Sequence, residues 1–465
     1  MKQPIRIPAL RFGFPYDSMS QVPVVDLGSG EILATLGQVR ENMIAVDCGL
    51  DRKLDNALAI LQGIPVKSRI EMSANAANIF RYETLKCGDS SQSYDQYIDL
   101  LTRTSGLSHT LAEENTYRIC SALRDTEAIM NGLSRGLPLH AFDSGFCNQS
   151  GATVRIVPRI KALGACMPNN SPGVNVIWLV SLAFGIPVLI RPGSSEPFTA
   201  YRLIQAFIKA GFPPEVFGYY PCDYAAADRI PLLTDGAIVF GSDSTVKKWA
   251  NHPLVQVHGS GYSKLILGDD VVDEWRELIP EIAINVSSNS GRSCFTVSTI
   301  IVPRYGKEIA DALAKELSVL KPAPLAEEGN LLSAMTMPDK ANATNEAIEA
   351  GLAKGATDMS APFRDGGRLV VFEGRTYMLP TIIYCDSMSH PLAREEFLFP
   401  YAAVVEAPND EAFEKMGPTL SLAVYTRDQE LMKRARRSSV SLVSINKPTP
   451  VLDRTQPHEE NLFEL

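Results

Sequence analysis

The sequence has no Cys-x-x-Cys pair, and its six histidines form no His-Glu-x-x-His or comparable metal spacing. Its eight cysteines, Cys48, Cys87, Cys120, Cys147, Cys166, Cys222, Cys294 and Cys385, are scattered along the chain. These absences argue against a zinc ribbon or a disulfide framework, give no metal site, and suit a reducing cytoplasmic setting. Positive charge is also short: 44 Lys and Arg against 53 Asp and Glu leave a net charge of −9, with no basic stripe. No nucleic-acid partner and no anionic membrane partner is therefore expected. The opening MKQPIRIPALRFGFPY lacks the apolar core and small-residue cleavage site of a secretory signal. There is no internal repeat and no low-complexity segment. The lone Gly-Ser-Gly at 259–261 is not a dinucleotide fingerprint, because GxGxxG is incomplete and opens no helix. One uncharged run, VNVIWLVSLAFGIPVLI at 174–190, is at the short limit for a membrane span, and Gly185 and Pro187 interrupt it. It reads instead as a buried helix, a tight turn and a buried strand.

What is present is an ordinary globular balance, 45% hydrophobic and 21% charged, spread over 465 residues. That length is too great for one core and predicts two or three domains. To about residue 135 the chain reads mostly helical, as in ALAILQGI and SYDQYIDLLTRT. ATVRIVPRIKALGACMP then offers two short β-type runs, read as a hairpin at 151–165. SSEPFTAYRLIQAFIKAGF predicts a helix capped by Ser195 and stopped by Gly211. Strands around EVFGYYP, GAIVFGS, LVQVH and KLILG alternate with helices, which implies a parallel sheet covered on both faces. A second α/β unit follows from 295, with strands TIIVP, RLVVF, TIIYC, YAAVVEA and SLAVYT. In such sheets ligands bind where strands run into loops at their carboxyl ends, and RPGSSE and FGSDS are two polar ends of that kind.

Cys294 stands apart in composition. NSGRSCFTV sets it among small and glycine neighbours, after a cation, Arg292, and before an apolar strand. A thiolate nucleophile needs room and a local positive potential. A lone cysteine is more often an inert packing residue, as Cys48, Cys120, Cys166 and Cys385 read from their apolar surroundings. Composition alone leaves both roles open for Cys294.

The order of several segments decides further. Gly291-Arg292-Ser293-Cys294 resembles the nucleophile segment of the aldehyde dehydrogenase superfamily. MPNNSPG, with Pro168, Asn170 and Pro172, is similar to its Pro-Trp-Asn-Phe-Pro segment. RPGSSEP, with Arg191, Pro192 and Pro197, resembles its Lys-Pro-x-Glu cofactor segment. VFGSD, with Gly241 and Ser242, EEFLFP, with Glu395, Glu396 and Pro400, and SLVSIN, ending at Asn446, complete six matches in family order. The resemblance covers roughly residues 20 to 460. It implies an aldehyde dehydrogenase-like α/β fold: a Rossmann-like cofactor domain (1–150 with 166–257), an α/β catalytic domain (258–428), and a small β oligomerisation element (151–165 and 429–465). It further implies a homodimer or homotetramer. Cys294 would attack an aldehyde or thioester carbonyl, and the Asn170 amide with the Cys294 backbone N–H would hold the oxyanion. Arg191, Pro192, Ser194, Gly241, Ser242 and Glu396 would bind the cofactor, with Glu396 on the nicotinamide ribose.

Two departures shape the expected activity. Where most oxidising members carry a water-activating glutamate, this chain has His258 in HGSG. Either hydrolysis is weak and the thioester passes to another thiol, or His258 is the base, or His258 is a packed strand-end residue. The first and third are compatible and are preferred together. In the cofactor segment Ser194 replaces the acid and Arg191 the lysine, which lifts repulsion of a 2′-phosphate and favours NADP over NAD. FGFPYDSMSQVPVVDLGSGEILATL is similar in texture to LuxC-like acyl-CoA reductases of the same superfamily. The expected reaction is therefore interconversion of an aldehyde and an acyl thioester, with CoA as co-substrate. Oxidation of an aldehyde to its acid is the alternative, and a non-catalytic nucleotide-binding scaffold the second.

Overall fold

A computed structural model describes residues 3–50 and 53–449. Within them the chain divides into two units, 3–105 with 112–259, and 106–111 with 260–449. The first unit is built on a seven-stranded sheet: β1 (Ala9–Arg11), β2 (Phe14–Tyr16), β3 (Leu163–Cys166), β4 (Val188–Arg191), β5 (Phe217–Tyr219), β6 (Ala237–Phe240) and β7 (Val255–His258). The order across it is β7-β6-β3-β4-β5-β1-β2. The five strands from β3 to β7 are parallel, and β1 and β2 add an antiparallel edge. The chain runs β3-β4-β5 one way, then returns to lay β6 and β7 on the other side of β3. That reversal creates a crevice outside the carboxyl ends of β3 and β6, the place where a doubly wound sheet takes a ligand.

The long apolar run resolves as expected. Val176–Ala183 is a helix whose Trp178, Leu179, Val180, Leu182 and Ala183 are all buried. Gly185 turns at φ +81, and β4 follows at the sheet centre. Among the described residues no helix is long and apolar enough to cross a membrane. Helix Phe198–Ala210 ends on Gly211 at φ +116, as predicted. Its capping acceptor is not Ser195, however: Glu196 Oε1 receives the Thr199 N–H at 2.8 Å, while the Ser195 N–H is bound by Asn169.

The second unit carries a sheet of β8 (Ser263–Leu267), β9 (Val297–Val302), β10 (Thr357–Asp358), β11 (Thr381–Cys385), β12 (Tyr401–Glu406), β13 (Ser421–Tyr425) and β14 (Leu442–Ile445). The order is β10-β11-β12-β9-β8-β13-β14, parallel except for β10. Its central strands are buried almost throughout and mostly apolar, as strands covered on both faces are, and two cores form on opposite faces.

Four local readings need correction. The N-terminal part is not mainly helical from its start: Ile5–Ile7, Gln21–Val25 and Ile32–Gly37 form a three-stranded sheet before the helices begin. The hairpin pairs Phe146–Gln149 with Ala152–Arg155, and the second run expected in it, LGAC, is β3 of the parallel sheet. Gly151, at φ +84, makes the tight turn that places the hairpin earlier. KLILG opens the second unit's sheet instead of completing the first, and LVVF pairs locally with Arg375–Met378 instead of entering that sheet. The expected tail falls beyond residue 449, outside the described residues.

Candidate active site

Cys294 is the one cysteine of the eight that is half-buried; the other seven are buried. Burial pushes the thiols of Cys48, Cys87, Cys166, Cys222 and Cys385 up to about 12, and that of Cys120 to about 11. Those six are poor thiolates, as apolar packing residues should be.

The loop that carries Cys294 is unusual in its backbone. Helix Trp275–Ser287 ends, and Asn289, Ser290 and Gly291 follow at φ +51, +57 and +70. Three consecutive left-handed residues are costly outside glycine, so the surroundings must hold them. They do. The Ser290 hydroxyl accepts the Ser333 N–H at 2.8 Å, and a Cβ on Gly291 would run into the Phe399–Pro400 peptide. After the cysteine, Thr449 Oγ1 donates to the Phe295 carbonyl at 2.7 Å, and the Thr449 N–H is itself held by Asn285. The Cys294 carbonyl accepts Ser263 Oγ at 2.7 Å and lies so close to Gly261 that no Cβ fits there. Arg292, expected as a cation for the thiol, is buried. Its guanidinium donates to the Ala334 carbonyl, and burial pushes it down to about 10.

These contacts share one feature of the sheet. Gly261 precedes β8, Cys294 precedes β9, and Glu396 and Phe399 precede β12. The second unit therefore gathers its candidate residues at the amino edge of its strands, not at the carboxyl ends where the sheet rule places ligands. Glu396 is half-buried, and its Oε2 accepts the Tyr262 N–H at 2.5 Å. Lys264, buried beside it, donates from Nζ to the carbonyls of Tyr262 and Pro418. Burial pushes that ammonium down to about 8.

The remaining candidates lie in the first unit, at the carboxyl ends flanking the crevice. Asn170 is half-buried in the loop after β3, and the next residues are anchored by the buried Asn115, whose Oδ1 accepts Ser171 Oγ and the Gly173 N–H. After β4, the Arg191 guanidinium lies 5.3 Å from the Tyr224 ring centroid, and its Nε is buried with no hydrogen-bond partner among the described residues. Pro192 and Gly193 are buried and Ser194 is exposed; a Cβ on Gly193 would collide with Asn169 and Pro168. After β6, Gly241 donates its N–H to the His258 carbonyl, and the Ser242 hydroxyl is exposed and 2.9 Å from that of Ser244. His258 ends β7, only 3% exposed, with its ring stacked 4.7 Å from Phe240. Gly193 and Gly241, where a Cβ would collide with neighbours, leave room for a close approach, and the exposed Ser194 and Ser242 with the spare Arg191 donor suit a phosphate-bearing cofactor. Among the described residues no His, Cys, Asp or Glu cluster is suited to a metal.

Glu196 was not singled out from the sequence, because it reads as an ordinary acid beside a proline. It is buried, and burial raises its carboxyl from an ordinary 4.5 to about 7. The sign follows from linkage. Below pH 4.5 both states are protonated and the full stability is present. As pH rises towards 7 only the unfolded chain ionises, so stability falls, by about 3 kcal/mol at most. Glu196→Gln keeps the cap oxygen without the charge. Its melting temperature should move upwards relative to the parent chain between pH 5 and pH 8. A gap that does not change with pH would show that the carboxyl does not titrate in this range.

A family model described as the aldehyde dehydrogenase family matches residues 88–459. Geranial dehydrogenase of Castellaniella defragrans is 25% identical over 317 residues, which take in 63% of this chain; the chain spans 63% of that relative's length. Among solved structures, a NAD-dependent benzaldehyde dehydrogenase from Corynebacterium glutamicum superposes with a TM-score of 0.76 at 18% identity, over 95% of this chain and 92% of its own. The aldehyde dehydrogenase KauB from Pseudomonas aeruginosa gives 0.78 at 21% identity, over 96% and 89%. The fold is that of these enzymes, the family match covers most of the sequence, and the chain belongs to the aldehyde dehydrogenase family.

Proposed function

We propose that this chain is a nicotinamide-dependent oxidoreductase that interconverts an aldehyde and an acyl thioester through a covalent bond to Cys294. The observation that carries the reading is the seating of Cys294: one half-buried thiol among buried ones, on a loop held from both sides. The Cys294 thiolate adds to the carbonyl carbon, and the oxygen becomes an oxyanion. The Asn170 amide and the Cys294 N–H donate to that oxygen; such a donor typically lowers the barrier by about 3–4 kcal/mol. A bound nicotinamide would supply a hydride acceptor for the former carbonyl carbon, or a hydride donor in the reductive direction. The sulfur then holds an acyl group as a thioester. Arg191, Pro192, Ser194, Gly241 and Ser242 bind the cofactor's phosphates and adenosine, and Glu396 its nicotinamide ribose. Ser194 in place of an acid and Arg191 in place of lysine favour NADP(H) over NAD(H). The assembly is a homodimer or homotetramer built through the hairpin and the C-terminal strand.

The acyl group passes to the CoA thiol in preference to water, its bond to the Cys294 sulfur breaking and the Cys294 thiolate leaving, because the position of the usual base holds His258, packed on Phe240. A thiol acceptor needs no activated water. His258→Glu should raise acid formation from aldehyde in the absence of CoA by about tenfold or more. No change in that rate would mean that the residue stands too far from the thioester to act. The function itself is tested by supplying acyl-CoAs with NADPH or NADH, then aldehydes with NADP or NAD, with and without CoA. CoA-dependent turnover supports the reading. Acid formation without CoA selects a hydrolytic aldehyde dehydrogenase instead. Cofactor binding without any turnover selects a nucleotide-binding scaffold.

A further inference from the structure

We propose that Glu396 is a positioning residue for the nucleophile, acting through the backbone of Tyr262 and Gly261 before any cofactor arrives. This rests on the assignment of Cys294 as the nucleophile and goes beyond contact with a ribose. Tyr262 is held in the left-handed region at φ +46, which a bulky residue adopts only when its surroundings impose it. Both of its peptide groups are held. Glu396 Oε2 takes the Tyr262 N–H, and Lys264 Nζ donates to the Tyr262 carbonyl at 2.6 Å. The neighbours on each side then touch the nucleophile's backbone. Gly261 lies against the Cys294 carbonyl, with room only for hydrogen, and Ser263 Oγ donates to that same carbonyl. Leu420 donates its N–H to the Gly261 carbonyl at 2.8 Å, which closes the clamp from β13.

A carboxylate at 396 thus fixes the turn 260–263, and the turn fixes Cys294. Losing the carboxylate takes that acceptor away from the Tyr262 N–H, lets φ relax, and shifts the surface on which the Cys294 carbonyl rests. The role asks only for an acceptor oxygen, so glutamine fulfils it where alanine cannot.

The test uses the full-length, cofactor-free chain, where ribose binding plays no part. The rate of Cys294 alkylation by iodoacetamide is followed by peptide mass spectrometry; the sulfur–carbon bond forms as iodide leaves, and the other seven cysteines are buried. Glu396→Ala should raise the Cys294 rate by about threefold or more, and Glu396→Gln should stay within about twofold of the parent chain. Equal rates in Glu396→Ala and the parent, or equal rates in the two variants, would overturn the proposal. Should Glu396→Ala fail to fold, amide hydrogen exchange on the parent chain decides. The Tyr262 N–H should be protected without cofactor, and exchange at the rate of an open amide would overturn the proposal. Failure here is separable from failure of the proposed function. Turnover surviving in Cys294→Ser would remove the nucleophile's assignment, whereas an alkylation rate blind to residue 396 would remove only the clamp.

Discussion

Cys294→Ser should lose about a thousandfold or more in turnover while the chain keeps its fold and its cofactor binding. A hydroxyl at neutral pH is almost wholly protonated, and its addition to a carbonyl is far slower than that of a thiolate. The substitution leaves the loop in place, because residue 294 is seated through its carbonyl, to Ser263 and against Gly261. The readouts are absorbance of the reduced nicotinamide for turnover, fluorescence of the bound cofactor for affinity, and a thermal melt for the fold. Turnover within tenfold of the parent would place the nucleophile elsewhere. No other thiol fits well: burial lifts Cys48, Cys87, Cys120, Cys166, Cys222 and Cys385 to about 11 or 12.

How much of this was legible beforehand differs between the two units. β4 to β7 were readable because short apolar runs alternate with helices, whereas β3 was read into a hairpin; the polar ends RPGSSE and FGSDS follow β4 and β6 directly. The boundary between the units was harder. LVQVH and KLILG are both apolar strands a few residues apart, and nothing in their composition says that one closes a sheet and the next opens another. Cys294 could be singled out as a candidate because its small and glycine neighbours are local in sequence. The parts that hold it could not. Thr449, Ser333 and Gly261 lie far from it along the chain and meet it, or the residues beside it, only at the amino edge of the second sheet, and Glu396 was named for the cofactor and not for this loop. Glu196 escaped for a related reason. Its carboxyl is buried by distant aromatic elements, among them Tyr97, whose hydroxyl is 2.8 Å from the Thr199 Oγ1.

The sharpest consequence of that non-local seating falls on a residue without a side chain. Gly261 sits at ordinary φ, so nothing in its own backbone demands glycine. What demands it is the Cys294 backbone: a Cβ there would collide with the carbonyl oxygen and carbon and press on Cα. None of these atoms is the far end of a flexible side chain, so Gly261→Ala must move either the turn or the nucleophile's backbone. The turn is the stiffer of the two. Tyr262 is held at both its N–H and its carbonyl, and Gly261's own carbonyl is bound by Leu420. Cys294 therefore yields, and its Cα and N–H shift by a sizeable part of an ångström. Displacement on that scale typically costs about a hundredfold in rate. Gly261→Ala should thus lose about a hundredfold in kcat with the cofactor's Kd little changed, since the residues assigned to its phosphates lie in the other unit. The check pairs steady-state kinetics with cofactor titration. A kcat within threefold of the parent in a folded variant would show that the turn, and not the nucleophile, gives way. A fall in cofactor affinity as large as the fall in kcat would mean that the damage had spread beyond the thiol.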